Sequence, residues 1–336
     1  MVDAVSFLGR FIGGIFSIFF PFESLKFAYT VQSIINSSIL ALTFILMYEV
    51  EVSLVKPILL ISMLISGMMR SLSAVPRVLL FNNSNPQEDK IALSIWNVVF
   101  LLGDVVSLLL VNWLMELGVQ ENYAFLIFVG LHLLVAFLQY FSVDEGHTLQ
   151  NQNGLEYIQL TLRNCKAFFS LPRNLLWFIE TCSLMISYSN IIMWAPYYFS
   201  KIGFGSQTTL ISITFPLLSS ISAIIFSFGF GQCQSRVPII IIFCFMTSIV
   251  LWILMLFIDH DAEDLVFQII CFGGIGFFFA AGRSWINGYE TSAFTEGNPT
   301  LRRQLILLCD NVKQIGNFIS LLVIGFLVEH SNCLHM

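Results

Sequence analysis

Arg70 and Arg283 stand inside long apolar segments of this chain. A cation in a membrane span costs about 2.5–3.5 kcal/mol on insertion scales, so an arginine kept there marks a site or an internal partner. The guanidinium is a planar fork that takes a carboxylate or phosphate in two parallel hydrogen bonds. Anion binding is therefore the chemistry on offer, with an ion pair or carbonyl contact bracing the bundle as the other use of the same residue. Asn287 and Glu290 follow Arg283 at i+4 and i+7 and share its helix face. Trp285 and Tyr188 add rings with a polar edge. Substrate-binding candidates are accordingly Arg70, Arg283, Asn287, Tyr188 and Trp285. Asp104, Glu290, Asp310 and Lys313 are candidates for coupling or bracing charges; Asp310 and Lys313, three residues apart, read best as an internal pair.

The segments that carry these residues need lipid as their solvent. Of 336 residues, 57% are hydrophobic and 11% charged, and Phe alone occurs 34 times. Soluble domains average roughly 45–50% and about 25%. Soluble enzymes, secreted disulfide scaffolds and disordered chains are excluded, and a net charge of −6 offers no field for nucleic acid. The seven cysteines all lie from Cys165 onward without a CxxC pair and read as small apolar packing residues. Nucleotide loops, nucleophile elbows and metal-spaced His/Cys clusters are missing, so neither an enzyme nor a cofactor is expected.

Apolar runs of about 20 residues mark ten spans, near 4–20, 27–48, 57–81, 92–115, 123–142, 174–199, 207–230, 237–258, 265–292 and 305–328. Loops after the odd-numbered spans hold eight Lys and Arg, and the other loops hold two. By the positive-inside rule the basic loops are cytosolic and both chain ends lie outside. The expected fold is all-α and polytopic, about ten transmembrane helices in two pseudo-symmetric bundles. An N-terminal bundle over 1–142 and a C-terminal bundle over 174–336 flank a cytosolic linker, 143–173. In the linker, Ile158, Leu162 and Phe169 oppose Arg163 and Lys166, as in a helix lying on the membrane surface.

The halves share sequence. Shifted by 213 residues, 70–109 falls on 283–322 without a gap, and ten of the forty positions are identical, among them Arg70/Arg283, Asn85/Asn298, Pro86/Pro299 and Gly103/Gly316. About three or four matches would arise from composition. Span three thus pairs with span nine and span four with span ten. Six spans is an even offset, so the copies run parallel, the relationship between the halves of certain secondary transporters.

Three stretches carry a family resemblance. Gly67 to Leu110, with Trp96-Asn97 and Gly103 after a charged loop, resembles the fourth and fifth helices of the major facilitator superfamily. Trp194-Ala195-Pro196-Tyr197-Tyr198 followed by Ile202-Gly203-Phe204 is similar to the end of its seventh helix, and Gly274 to Gly297 to its tenth. Within that superfamily the likeness is to the organophosphate:phosphate antiporter branch. It implies family helices two to eleven, the first and last being outside the chain, with Arg70 and Arg283 on the two helices that border a central cavity. It also implies an antiporter of a small anionic solute such as a sugar phosphate, embedded in membrane lipid, with an organelle membrane such as the endoplasmic reticulum favoured over the plasma membrane. The chain departs from the pattern at Gln234 and Ser235, where Asp is usual, and its seventh-helix segment 177–200 holds no Lys or Arg. A non-transporting member acting as receptor, scaffold or assembly subunit is the alternative.

Overall fold

A computed structural model of the chain describes residues 2–19, 25–49, 52–71, 86–119, 121–142, 154–229, 237–257, 265–285 and 299–334. Among them are eleven α-helices and a short 3-10 turn, Gly205–Gln207, and no strand. The helices are α1 (Val2–Phe19), α2 (Leu25–Glu49), α3 (Val52–Ser71), α4 (Pro86–Glu116), α5 (Glu121–Ser142), α6 (Gly154–Phe169), α7 (Pro172–Lys201), α8 (Thr208–Gly229), α9 (Val237–Phe257), α10 (Leu265–Trp285) and α11 (Pro299–Leu334). Six of these, α3 and α7 to α11, are long and apolar enough to cross a membrane; α1, α2, α4 and α5 carry shorter apolar stretches. With α6 set apart, they correspond to the ten expected spans.

Local chemistry sets the ends. Pro86, Pro172 and Pro299 open their helices at the position where a missing N–H costs nothing. Gly118 and Gly203, at φ +74° and +103°, close α4 and α7: Val119 N–H donates to the Leu114 carbonyl and Phe204 N–H to that of Phe199. This left-handed closure ties off carbonyls that the helix leaves open. Within the helices, small hydroxyls bond back to the preceding turn, Ser17 to the Gly13 carbonyl (2.9 Å) and Ser220 to that of Pro216 (2.8 Å).

The helices themselves repeat at the 213-residue shift. Val52 and Pro86 open α3 and α4; Leu265 and Pro299 open α10 and α11. Packing repeats with them. The pair α1·α3 has its counterpart in α8·α10, α2·α3 in α9·α10, and α1·α11 in α8·α4. Between α1 and α3, a Cβ on Gly9 would strike the Leu64 carbonyl, and one on Gly67 the Ser6 carbonyl. Between α8 and α10, a Cβ on Gly276 would strike the backbone of Phe215, and the Ser219 hydroxyl donates to the Gly276 carbonyl at 3.0 Å. In lipid, such close backbone approach is the main source of helix association.

Contacts divide the chain into two units, each drawing helices from both halves of the sequence. One comprises Met1–Asn83, Gln120–Ile186 and Gly297–Met336; the other comprises Ser84–Val119 and Ser187–Glu296. The division crosses the sequence halves because α11 packs on α1 and α4 on α8. In the second unit, Phe199, Phe215, Phe272 and Tyr188 stack with Leu101 into an aromatic core, Phe199 and Phe272 at 5.0 Å between ring centres.

The α3 helix begins at Val52, ahead of the expected limit at 57, with Pro57 accommodated inside it, and Arg70 is the next-to-last of its described residues. In α6 the buried residues are Thr161 and Phe168, and Leu162 is 57% exposed. The helix rests on α1 and α11. There the Gln304 amide donates to Thr161 (2.7 Å) and accepts from Asn164 (3.1 Å).

Candidate functional site

In the first unit, the Gly13-Gly14 pair of α1 lies between two helices. A Cβ on Gly13 would meet the Ser71 hydroxyl and Met68 of α3, and one on Gly14 would meet the Asn311 carboxamide of α11. Arg70, beside Ser71, therefore stands at the level of Asn311. From α5, His132 is close enough to Arg70 for the two to interact electrostatically. Asn311, Gln314 and Asn317 line one side of α11, all buried, Asn317 completely so. Asn311 Nδ2, Gln314 Oε1 and both amide atoms of Asn317 are enclosed without a hydrogen-bond partner. A buried amide left unpaired costs about 1–3 kcal/mol.

In the second unit the Tyr188 ring sits against Phe215 (5.3 Å) and Phe279 (6.2 Å) as part of the aromatic core. Further along, Gln268 of α10 is wholly enclosed with neither amide atom bonded, and the Ser212 hydroxyl of α8 is in the same condition.

Among the residues expected from the sequence, Arg70 and Tyr188 are thus in different units. Arg283 and Trp285 fall in the last turn of α10 and Asp104 in α4, with side chains outside the description. Asn287 and Glu290 lie outside the described residues. Asp310 and Lys313 are both half-buried, one turn apart on α11. Sequence reasoning passed over Asn311, Gln314 and Gln268, and it found no partner for His132. Carrying no charge, the three amides do not interrupt an apolar window; their signal was only their presence within apolar helices.

The cysteines pack as apolar side chains where they are described, with Cys182, Cys244, Cys271 and Cys309 buried and unlinked. Cys182 of α7 and Cys309 of α11 hydrogen-bond to each other. On α6, burial pushes the Cys165 thiol up from its ordinary value.

A helical membrane protein made of two parallel copies, with polar side chains held inside apolar helices, has the architecture of a secondary transporter. The chain belongs to the Major Facilitator Superfamily, whose family model matches residues 11–300. Among solved structures it is similar to the proton:xylose symporter XylE bound to 6-bromo-6-deoxy-D-glucose, with TM-score 0.72 and 12% identity over 98% of this chain and 79% of that one. A D-xylose-proton symporter gives 0.68 and 14% over 95% and 77%. A bacterial homologue of the iron transporter ferroportin in an outward-facing state gives 0.64 and 15% over 95% and 80%. No curated protein matches the sequence significantly. At these identities the solved structures establish the fold; the family match establishes membership of a superfamily of membrane transporters.

Proposed function

We propose that the chain is a secondary-active carrier of a small organic anion, working by alternating access, with a sugar phosphate exchanged for inorganic phosphate as the substrate class. The observation that carries the reading is the recurrence of helix packing at the 213-residue shift, α1·α3 as α8·α10 and α1·α11 as α8·α4. Two parallel copies joined by equivalent seams can rock between two states of similar energy, which is what alternating access requires. In this reading the bundles over 1–142 and 174–336 move about the linker 143–173.

Arg70 and Arg283 supply the anion preference. Arg70 ends α3, and Arg283 stands at the equivalent position of α10. A cation in the last turn faces the negative end of the helix dipole, which favours a charge there, and the Arg70 side chain is exposed and open to a solute. Two of the similar folds belong to xylose symporters, one of them holding a sugar derivative; a hydroxylated anion accords with both that likeness and the arginines. The resemblance to the organophosphate:phosphate branch favours an organelle membrane as host.

Purified protein in phosphate-loaded liposomes tests this directly. Labelled glucose 6-phosphate should enter by counterflow, and Arg70→Gln should reduce the rate at least tenfold. Failure of glucose 6-phosphate and inorganic phosphate alike to exchange would end the carrier reading. Unchanged rates in a variant with both Arg70→Gln and Arg283→Gln would end the role of the arginines.

A further inference from the structure

The two equivalent seams differ in chemistry. On α4, Val98 and Leu101 join the aromatic core with Ile211, Phe215 and Ala223 of α8. The 213-residue shift puts Asn311 and Gln314 of α11 in their places, on the seam with α1. One seam is apolar at these two positions, and it carries Asp104 where α11 has Asn317. Its twin holds amides whose Nδ2 (Asn311) and Oε1 (Gln314) have no partner, and Asn317, one turn on, adds an unbonded donor and acceptor.

We propose that the α1·α11 seam is a hydroxyl-recognising subsite, in which Asn311, Gln314 and Asn317 bind the uncharged body of a polyhydroxylated solute, while the α4·α8 seam remains closed. The proposal rests on the carrier reading and assigns a second element of its substrate. A fully ionised carboxylate or phosphate only accepts hydrogen bonds, and an ammonium or guanidinium only donates them. These amides offer donors and acceptors in equal measure, and a hydroxyl is the small group that satisfies both. Gly14 favours the same assignment: without a Cβ, α1 leaves room for the Asn311 carboxamide. Closed, the seam buries polar groups unmet; parted around a solute, it bonds them. Sites built in this way reject analogues lacking the hydroxyl far more strongly than apolar pockets reject a missing methylene.

The twin seam supplies the test, since Asn311→Val and Gln314→Leu install the residues of α4. Equilibrium binding of glucose 6-phosphate, 2-deoxyglucose 6-phosphate, glucose and inorganic phosphate is measured on the purified full chain beside its thermal stability. In the native chain, the deoxy sugar phosphate should bind more weakly than its parent. Each variant should lower affinity for glucose 6-phosphate about tenfold, the effect of one lost buried hydrogen bond. Each should leave inorganic phosphate binding unchanged and raise the unfolding temperature by about 2 °C, because an unmet amide is gone. A variant that falls in stability or fails to fold overturns the proposal, because the amides are then structural. So does unchanged affinity for the sugar phosphate, or a native chain that binds none of the hydroxylated probes. Binding without counterflow overturns the carrier reading and leaves this subsite standing; phosphate exchange with hydroxyl-blind binding does the reverse.

Discussion

Gly9→Ala tests the helix packing on which the fold depends. The added Cβ would lie 3.0 Å from the Leu64 carbonyl carbon and 3.2 Å from the Gly67 Cα, and closer still to the Leu64 oxygen. All three are backbone atoms, so no side-chain rotation relieves the contact. The α1 and α3 helices must separate by roughly 1 Å, and a gap of that size forfeits a quarter to a half of each dispersion contact at the crossing. With about twenty atom pairs at about 0.1–0.2 kcal/mol each, the loss is about 0.5–2 kcal/mol, overlapping the usual range for overpacking. Gly276→Ala should act alike, since its Cβ would meet the Phe215 Cα at 2.9 Å. Gly103→Ala is the control: nothing lies within 4 Å of its Cβ, and the better helix former should be neutral or stabilising by up to about 1 kcal/mol. Thermal unfolding of the three purified variants in one detergent ranks them. Equal stability of Gly9→Ala and Gly103→Ala would refute the packing argument.

Gln304→Leu should free α6 from α11, leaving Thr161 and Asn164 without their bonds to the amide. The expected loss is about 2–3 kcal/mol, read as faster protease cleavage within the 143–173 linker, and native cleavage rates would contradict it. Cys165, its thiol pushed up by burial, should react more slowly with iodoacetamide near neutral pH than an exposed peptide thiol; mass spectrometry of the alkylated linker peptide checks it.

Much of the architecture was legible because hydropathy and repeat act over many residues. The equivalence of 70–109 with 283–322 placed Pro86 and Pro299 in register, and both open long helices. Lateral neighbours were not legible. Nothing in the local pattern of α4 or α11 says that each leaves its sequence neighbours to pack on α8 and α1. The start of α3 at Val52 was missed because hydropathy alone set the span limits. In α6 the apolar stripe drew attention to Leu162, whereas the docking face is set by Gln304 reaching Thr161, a contact 143 residues apart in sequence. The candidate site divided in the same way. Charges inside spans announce themselves, as Arg70 does; Asn311 and Gln314 of α11 gain meaning only beside Val98 and Leu101, their apolar twins on α4.

Single cysteines at Gln87 and Thr300, equivalent first-turn positions of α4 and α11, put the parallel repeat to its most direct trial. A membrane-impermeant maleimide is applied to sealed vesicles of either orientation, and labelling is read above that of the native chain. Both positions should label from the cytosolic face alone. Labelling of the two from opposite faces would mean inverted copies, and the paired seams, the shared arginine positions and the carrier built on them would fall together.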